Sequence, residues 1–447
     1  MRPHFATPMI VSLALAFNVK AQRDPEEVLA QARDRVIERT DRLPNYTCVQ
    51  TVDRKYLKRT KPELPAPSCD QMSAERTKRS YLLKVEATDR LRLDVKVSAG
   101  DEIGSWAGAS HFEEGNIGQL VKGPFGTGPF GTFLGDIFTI PSVRFSFVGE
   151  EPVDGAKLFR YHFQVPRESS HYMVEAGKDW RVTGYDGAAW IDPDSFELRR
   201  LLIRTNELPE ETHACEATTT VEYASMRMGA GDFLLPRHSK LHFLMRDTTE
   251  SEISTTYSSC REFLGEAKLV DHPSVTNAEQ ARAPRAPISI PAGLSLSLAL
   301  AEPIDTDTAA AGDAVVAQVS KPVRDPKSGV VVIPAGSKVR GRIVRMEHWQ
   351  DSPRYFVIAL LLETIEVNDI ESPFYASLKP NEEERALGKE TSGLVARGQP
   401  IFLRPRGQSR LVANLVFASA GKRYVMPRGY ETKWTTVPEL YSAIPNK

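Results

Sequence analysis

Apolar and polar residues alternate along much of this chain. Leu91, Leu93, Val95 and Val97 are separated by Arg92, Asp94 and Lys96, and a period of two places one set on each face of a β-strand. The same rhythm appears at Phe159, Tyr161, Phe163 and Val165, at Val143, Phe145 and Phe147, at Val221 and Tyr223, and at Leu241, Phe243 and Met245. One stretch near the N-terminus follows the helical period instead, with Val28, Ala32, Val36 and Leu43 in a stripe flanked by Leu29 and Ile37. Its start carries Asp24 as N-cap, Pro25 at the first helical position and Glu27 three residues after the cap. These patterns predict an antiparallel sheet with few helices, the N-terminal helix lying on one face.

Strand patterns return in the C-terminal third, at Ala314 to Val319, Val330 to Ile333, Val339 to Val344 and Tyr355 to Ile365. The phrase Ile-Pro-Ala-Gly occurs there twice, at 290–293 and 333–336. Proline gives up a ladder donor and glycine permits a bend, so each phrase marks a strand edge. The two copies have different neighbours, which excludes an internal repeat. Between the two strand-rich regions, residues 271–287 hold prolines at 273, 284 and 287 and Val275 as the one large aliphatic, a linker composition. With 447 residues the chain is too long for one ordinary domain. The expected organisation is a first domain over 22–270, a linker over 271–287 and a β-rich domain over 288–447. The fold class is mainly β: an α+β first domain with a curved antiparallel half-barrel sheet and N-terminal helix, then a small β-barrel or sandwich.

Residues 1–21 read as a signal peptide: Arg2 and His4, then an apolar run from Met9 to Phe17, then small residues Val19 and Ala21 before Gln22. The run is too short to span a bilayer, and no later segment approaches that length, so the mature chain is expected to lack a transmembrane segment. Cleavage after Ala21 would make the protein periplasmic or secreted. Losing Arg2 and Lys20 from 57 basic residues leaves 55 against 58 acidic ones, a balance that does not recruit nucleic acid. The basic run from Arg54 to Lys61 reads as a solvated face or loop edge. In an oxidising compartment Cys48, Cys69, Cys215 and Cys260 are expected to form two disulfides, with local pairing of Cys48 to Cys69 and Cys215 to Cys260 favoured among three connectivities. A metal site at His213 and Cys215 lacks a second ligand pair, and no metal or other cofactor is expected.

Candidate chemistry is sparse. Asp192 and Asp194 lie where an EF-hand would need glycine at 197 and glutamate at 203, and the chain has Glu197 and Ile203, so they are read as turn residues of a hairpin from Trp190 to Leu198. No nucleophile elbow, zinc-hydrolase helix or Rossmann glycine pattern is present; Ser169-Ser170-His171 and His348 to Ser352 hold triad residue types in loops only. No catalytic residue is assigned. One segment stands out: Gly123-Pro124-Phe125-Gly126-Thr127 is followed by Gly128-Pro129-Phe130-Gly131-Thr132 and then Phe133, Leu134, Ile137 and Phe138. Glycines permit motion and phenylalanines supply apolar area, so Phe125, Phe130, Phe133, Leu134 and Phe138 are candidates for a lid over a lipophilic pocket, although a loop pinning its aromatics into the core is favoured, since large apolar residues are usually inside.

Three features of residues 25–270 resemble the LolA-like fold of periplasmic lipoprotein carriers: the exported amphipathic helix, the hairpin from Gly187 to Pro193 leading into Leu198 to Leu201, and Phe233-Leu234-Leu235-Pro236 before a strand. That resemblance implies an apolar cavity suited to acyl chains, and hence a lipophilic ligand or lipoprotein as partner. In the C-terminal region, Ile290 to Gly293, Ile304 to Asp307, Gly312 to Ala317 and Val332 to Ser337 with Gly341 resemble the TrbI-like barrel of conjugative-transfer and type IV secretion scaffolds. Those scaffolds carry a membrane anchor and a pore helix that this sequence lacks, since 375–405 is polar, so the likeness implies the barrel and a protein partner in the envelope rather than a channel. The functional expectation is an exported non-enzymatic cell-envelope protein, with a structural accessory of an envelope assembly as the alternative and a secreted hydrolase as a minor one.

Overall fold

The computed structural model describes residues 23–61, 65–78, 81–98, 101–109, 112, 123–205, 208–229, 231–263, 286–351, 354–379, 412–418 and 421–438. Residues 1–21, expected to be a signal peptide, most of the expected linker and the polar stretch at 381–385 lie outside the described residues.

The first helix, α1 (Pro25–Asp41), begins as its sequence dictates: Asp24 caps it by accepting the Glu26 N–H at 3.0 Å, Pro25 opens the first turn, and Val28, Ala32 and Val36 are buried. Helices α2 (Cys69–Lys78) and α3 (Thr132–Thr139) follow among the described residues. The strands up to residue 263 are β1 (Tyr46–Arg59), β2 (Leu83–Ser98), β3 (Asp101–Trp106), β4 (Arg144–Val153), β5 (Ala156–Val165), β6 (Met173–Ala176), β7 (Asp179–Val182), β8 (Tyr185–Ile191), β9 (Leu198–Thr205), β10 (Ala214–Met228), β11 (Gly231–Met245) and β12 (Glu250–Glu262). Beyond residue 286 come β13 (Ser295–Leu300), β14 (Ile304–Asp305), β15 (Ala314–Val319), β16 (Val323–Arg324), β17 (Val331–Ile333), β18 (Lys338–Trp349), β19 (Tyr355–Val367), β20 (Ile370–Pro373), β21 (Ala376–Lys379), β22 (Ala413–Ala418), β23 (Val425–Met426) and β24 (Glu431–Thr436). The protein is mainly β, and among the described residues the ladders between its strands are antiparallel, as the alternation predicts.

The N-terminal strands run in the order β4-β5-β8-β9-β10-β11-β12-β1-β2-β3. α1 and α3 cover one face, where Val28, Val36, Phe133 and Ile137 pack on Phe163, Ala189, Leu201 and Val221. α2 sits on the opposite face, its Met72 against Leu244 and Cys215; Leu241 and Leu244 are three apart on β11 and so point to opposite sides. The hairpin between β8 and β9 turns on Asp192, whose Oδ1 accepts the N–H groups of Asp194 and Ser195 at 3.0 and 3.2 Å, the turn chemistry its sequence implies.

The C-terminal strands run β21-β24-β13-β15-β18-β19-β22, with β20 also on β19. No ladder joins β21 to β22 among the described residues, so these strands form an open, rolled sheet around Leu298, Val339, Ile358 and Trp434 rather than a closed barrel. The first Ile-Pro-Ala-Gly phrase leads into β13 and the second joins β17 to β18, with Gly293 and Gly336 at φ 87° and 82°.

Two long strands unite these sheets into one hydrogen-bonded network. β2 pairs with β3 through Leu93–Ser98 and with β18 through Ala87–Asp89, while β18 pairs with β15 through Lys338–Arg342 and with β2 through Glu347–Trp349. In the fork between β2 and β18 sits Ala311-Gly312, bonding to Arg90, Arg92 and Ile343 backbone. Gly312 has φ 108° and a Cβ there would lie 2.0 Å from the Arg92 carbonyl oxygen, so only glycine fits.

The cysteines pair differently from the local expectation: Cys48 bonds Cys260 and Cys69 bonds Cys215. The cause is the sheet order. β1 lies beside β12, far along the chain, and a bulge between Thr47 and Val49 brings Cys48 opposite Cys260. The α2 helix carries Cys69 onto β10 and its Cys215. That bond also removes Cys215 as a metal ligand.

Candidate ligand site on the helix-covered face

The glycine- and phenylalanine-rich segment lies across the helix-covered face, and its candidate residues enter two cores. Phe130 is buried between the rings of Tyr46 and Tyr257, at 5.8 and 4.9 Å and edge-on to both, and Phe125 is partly buried in the same group. Phe133 packs on Tyr172 and Tyr185 at 5.7 and 6.2 Å, Phe138 on Phe145 at 5.8 Å, and Leu134 is buried with them.

Hydrogen bonds through side chains hold this segment at four places. Arg54 and Asp89 face each other across β1 and β2, both buried, and form two bonds of 2.7 Å, Nε to Oδ1 and Nη2 to Oδ2. The Tyr56 hydroxyl adds a bond to Asp89 at 3.3 Å, and Arg54 Nη1 donates to the Pro124 carbonyl at 3.3 Å. Glu102 on β3 accepts, on Oε1, the N–H groups of Gly128 at 3.0 Å and Phe130 at 3.3 Å. Tyr223 donates to the Pro129 carbonyl at 2.7 Å. Finally Asp136, a buried carboxylate in the apolar α3, receives His171 Nδ1 at 2.6 Å, His171 N–H at 2.9 Å and the Tyr185 hydroxyl at 3.2 Å.

Glu102 belongs to a polar cluster inside the otherwise apolar face, with the hydroxyls of Tyr46, Tyr223 and Tyr257. Register explains it: Tyr46 lies opposite Val97, and Val97 opposite Glu102, so the two share a face two strands apart. Desolvation pushes the Glu102 carboxyl up to about 7, against the opposing pull of the Phe130 and Gly128 N–H groups. Burial, and then the Glu102 charge, push Tyr46 well above the ordinary phenol range. Tyr257 reaches Ser239 Oγ at 3.2 Å, whereas the Tyr46 hydroxyl is buried with no hydrogen-bond partner among the described residues.

The sequence singles out the apolar residues of this segment, which the structure places in the core, but not the polar side chains that bond to it. Within the run from Arg54 to Lys61, residues 54–59 belong to β1 and Lys55, Thr60 and Lys61 are exposed, but Arg54 turns inward to Asp89 and Arg59, five residues on, is buried against the Tyr81 ring at 3.9 Å. A lone acid in the apolar run Phe133 to Ile140 was the available signal for Asp136. The residues with triad chemistry are otherwise engaged: Ser170 Oγ donates to the Thr183 carbonyl, and His348 stacks on Phe356 at 4.1 Å.

Two open grooves lie elsewhere. One of about 590 Å³ runs along the charged side of α1 beside Gly231 to Phe233, and one of about 220 Å³ is bordered by Arg167, Arg181 and Glu211. Among the described residues no helix is long and apolar enough to cross a membrane, and no group of three or more His, Cys, Asp or Glu could hold a metal ion.

No family model matches the sequence, and no curated protein matches it either. Among solved structures the chain is similar to a LolA superfamily protein from Nitrosomonas europaea, with 10% identity over 53% of this chain and 93% of that one and a TM-score of 0.24. It is similar to the Mycobacterium tuberculosis lipoprotein LppX, with 13% identity over 54% and 99% of the two chains and a TM-score of 0.20. It is also similar to ComB10 of the Com type IV secretion system of Helicobacter pylori, with 15% identity over 34% and 93% and a TM-score of 0.19. Both resemblances read from the sequence therefore recur among solved structures, and likenesses of this size establish no shared function.

Proposed function

We propose that this is an exported, non-enzymatic cell-envelope protein whose helix-covered face takes a lipophilic ligand or the acyl part of a lipidated partner when the segment 123–139 swings away. The residues before 271 form the ligand-binding domain in this reading, and those after 287 form a domain that docks a protein partner of the envelope. One observation carries it. The segment places Phe130, Phe133, Leu134, Ile137 and Phe138 in the core, yet its described hydrogen bonds to the sheet run through side chains, those of Arg54, Glu102, Tyr223 and Asp136, with no ladder of its own. Side-chain tethers can be exchanged without unzipping strands, and withdrawal would expose an apolar trough of the kind that acyl chains fill. The two disulfides fit an oxidising compartment.

Native mass spectrometry of the protein isolated from its own compartment, followed by solvent extraction, tests the reading. A recovered acyl-chain molecule supports it. A protein that is empty and that takes up no apolar probe would overturn it. The alternative, a structural accessory of an envelope assembly, is favoured by the shared β2–β18 ladder, which welds the two sheets and suits a spacer.

A further inference from the structure

Three hydroxyls and a carboxylate converge beneath the segment 123–139, and the segment itself supplies what they bind. Glu102 accepts two N–H groups from it, Tyr223 donates to its Pro129 carbonyl, and its Phe130 ring fills the gap between Tyr46 and Tyr257. The Tyr46 hydroxyl, fully buried, is left over without a partner among the described residues. Withdrawal of the segment would strip Glu102 of both donors at once and open a space walled by two phenol rings. A half-buried carboxylate stripped of both donors in desolvating surroundings requires replacement donors. A carboxylate ligand brings negative charge and no donor. A hydroxyl brings one donor. An ammonium group brings up to three, together with a positive charge for Glu102 and for the faces of the tyrosine rings. Arg54, whose guanidinium reaches this segment at the Pro124 carbonyl, is already neutralised by Asp89.

Building on the ligand reading above, we infer that Glu102, Tyr46, Tyr223 and Tyr257 seat the polar end of the ligand and select a cationic, ammonium-bearing amphiphile over an anionic one. The apolar tail then takes the place of Phe133, Leu134 and Phe138. In this arrangement the Gly128 and Phe130 N–H groups and the Phe130 ring stand in for the amine while the site is closed.

The test is displacement of a neutral fluorescent apolar probe from the full mature chain, disulfides intact, by dodecylamine, dodecanol and dodecanoate below their micellar concentrations. At about pH 8 the amine is charged and Glu102 is ionised, and dodecylamine should displace the probe at a concentration about tenfold lower than dodecanoate, with dodecanol between them. Glu102→Gln keeps an acceptor for Gly128 and Phe130 and should abolish the preference for dodecylamine over dodecanoate. Tyr46→Phe should reduce the preference, and retained circular dichroism establishes that both variants are folded. Equal displacement by all three compounds, or preference for dodecanoate, overturns the headgroup assignment and leaves the lipophilic site standing. Failure of the probe and of every dodecyl compound to bind overturns both.

Discussion

Replacing Glu102 by glutamine should make this protein more stable at neutral pH and remove part of its pH dependence. The carboxyl stands near 7 in the folded chain against 4.5 when unperturbed, with burial as the main cause. An acid raised in this way holds its proton more tightly when folded, so its full stabilising contribution is present below about pH 4.5 and is lost as the pH climbs through 7. The interval corresponds to about 3 kcal/mol between about pH 4 and about pH 8. Glutamine preserves the shape and an oxygen for the Gly128 and Phe130 N–H groups but cannot ionise. Urea unfolding of the oxidised wild-type chain and of Glu102→Gln, followed by circular dichroism at both pH values, isolates the effect because all other titrating groups are common to the pair. The wild type should fall behind the variant by about 3 kcal/mol on going to the higher pH. If the two chains instead lose or gain stability in parallel, within about 0.5 kcal/mol, Glu102 is well solvated and the desolvated cluster proposed around it does not exist.

Removing one member of the Arg54–Asp89 pair, as Arg54→Met or Asp89→Asn, leaves a buried charge without its counter-charge and should cost about 3 to 5 kcal/mol by thermal or urea unfolding, whereas Arg54→Met with Asp89→Leu should recover much of that loss. Gly312→Ala forces a Cβ against the Arg92 carbonyl in a left-handed backbone and should destabilise by about 2 kcal/mol or more, with faster amide exchange along Ala87–Asp89 as the specific sign. The two disulfides are nested, with separations of 212 and 146 residues. With the inner bond intact the outer one closes an effective loop of about 66 residues, so Cys48→Ser with Cys260→Ser should lose about 4 kcal/mol.

Strand content was legible because alternation is a local property. Leu91 to Val97 and Phe159 to Val165 alternate and are buried as that rhythm requires, and the cap at Asp24 begins α1 where its side chain can bond the first turn. What stayed hidden depends on which strands meet. Nothing local tells Cys48 that its neighbour is β12, or tells Arg54, amid a basic run, that Asp89 faces it. Closure of the C-terminal strands was equally a matter of pairing, and the sequence patterns that suggest a barrel are satisfied by the open sheet observed. At the candidate site the apolar residues were visible as composition, while Glu102 and Asp136 became meaningful only once register had set Glu102 on the face of Tyr46 and helix packing had buried Asp136.

The nesting of the disulfides also imposes an order on the protein's biogenesis. As the chain is made, Cys48 and Cys69 emerge with only each other as partners until Cys215 arrives, and Cys48 must wait longer still, for Cys260. The bond that forms most easily during synthesis is therefore a wrong one. Native pairing demands either that these thiols be kept reduced until the last strand of the first sheet is available, or that an early Cys48–Cys69 bond be reshuffled by thiol exchange. A cell that produces this protein with a strong oxidant but no disulfide isomerase should accumulate that misbridged form.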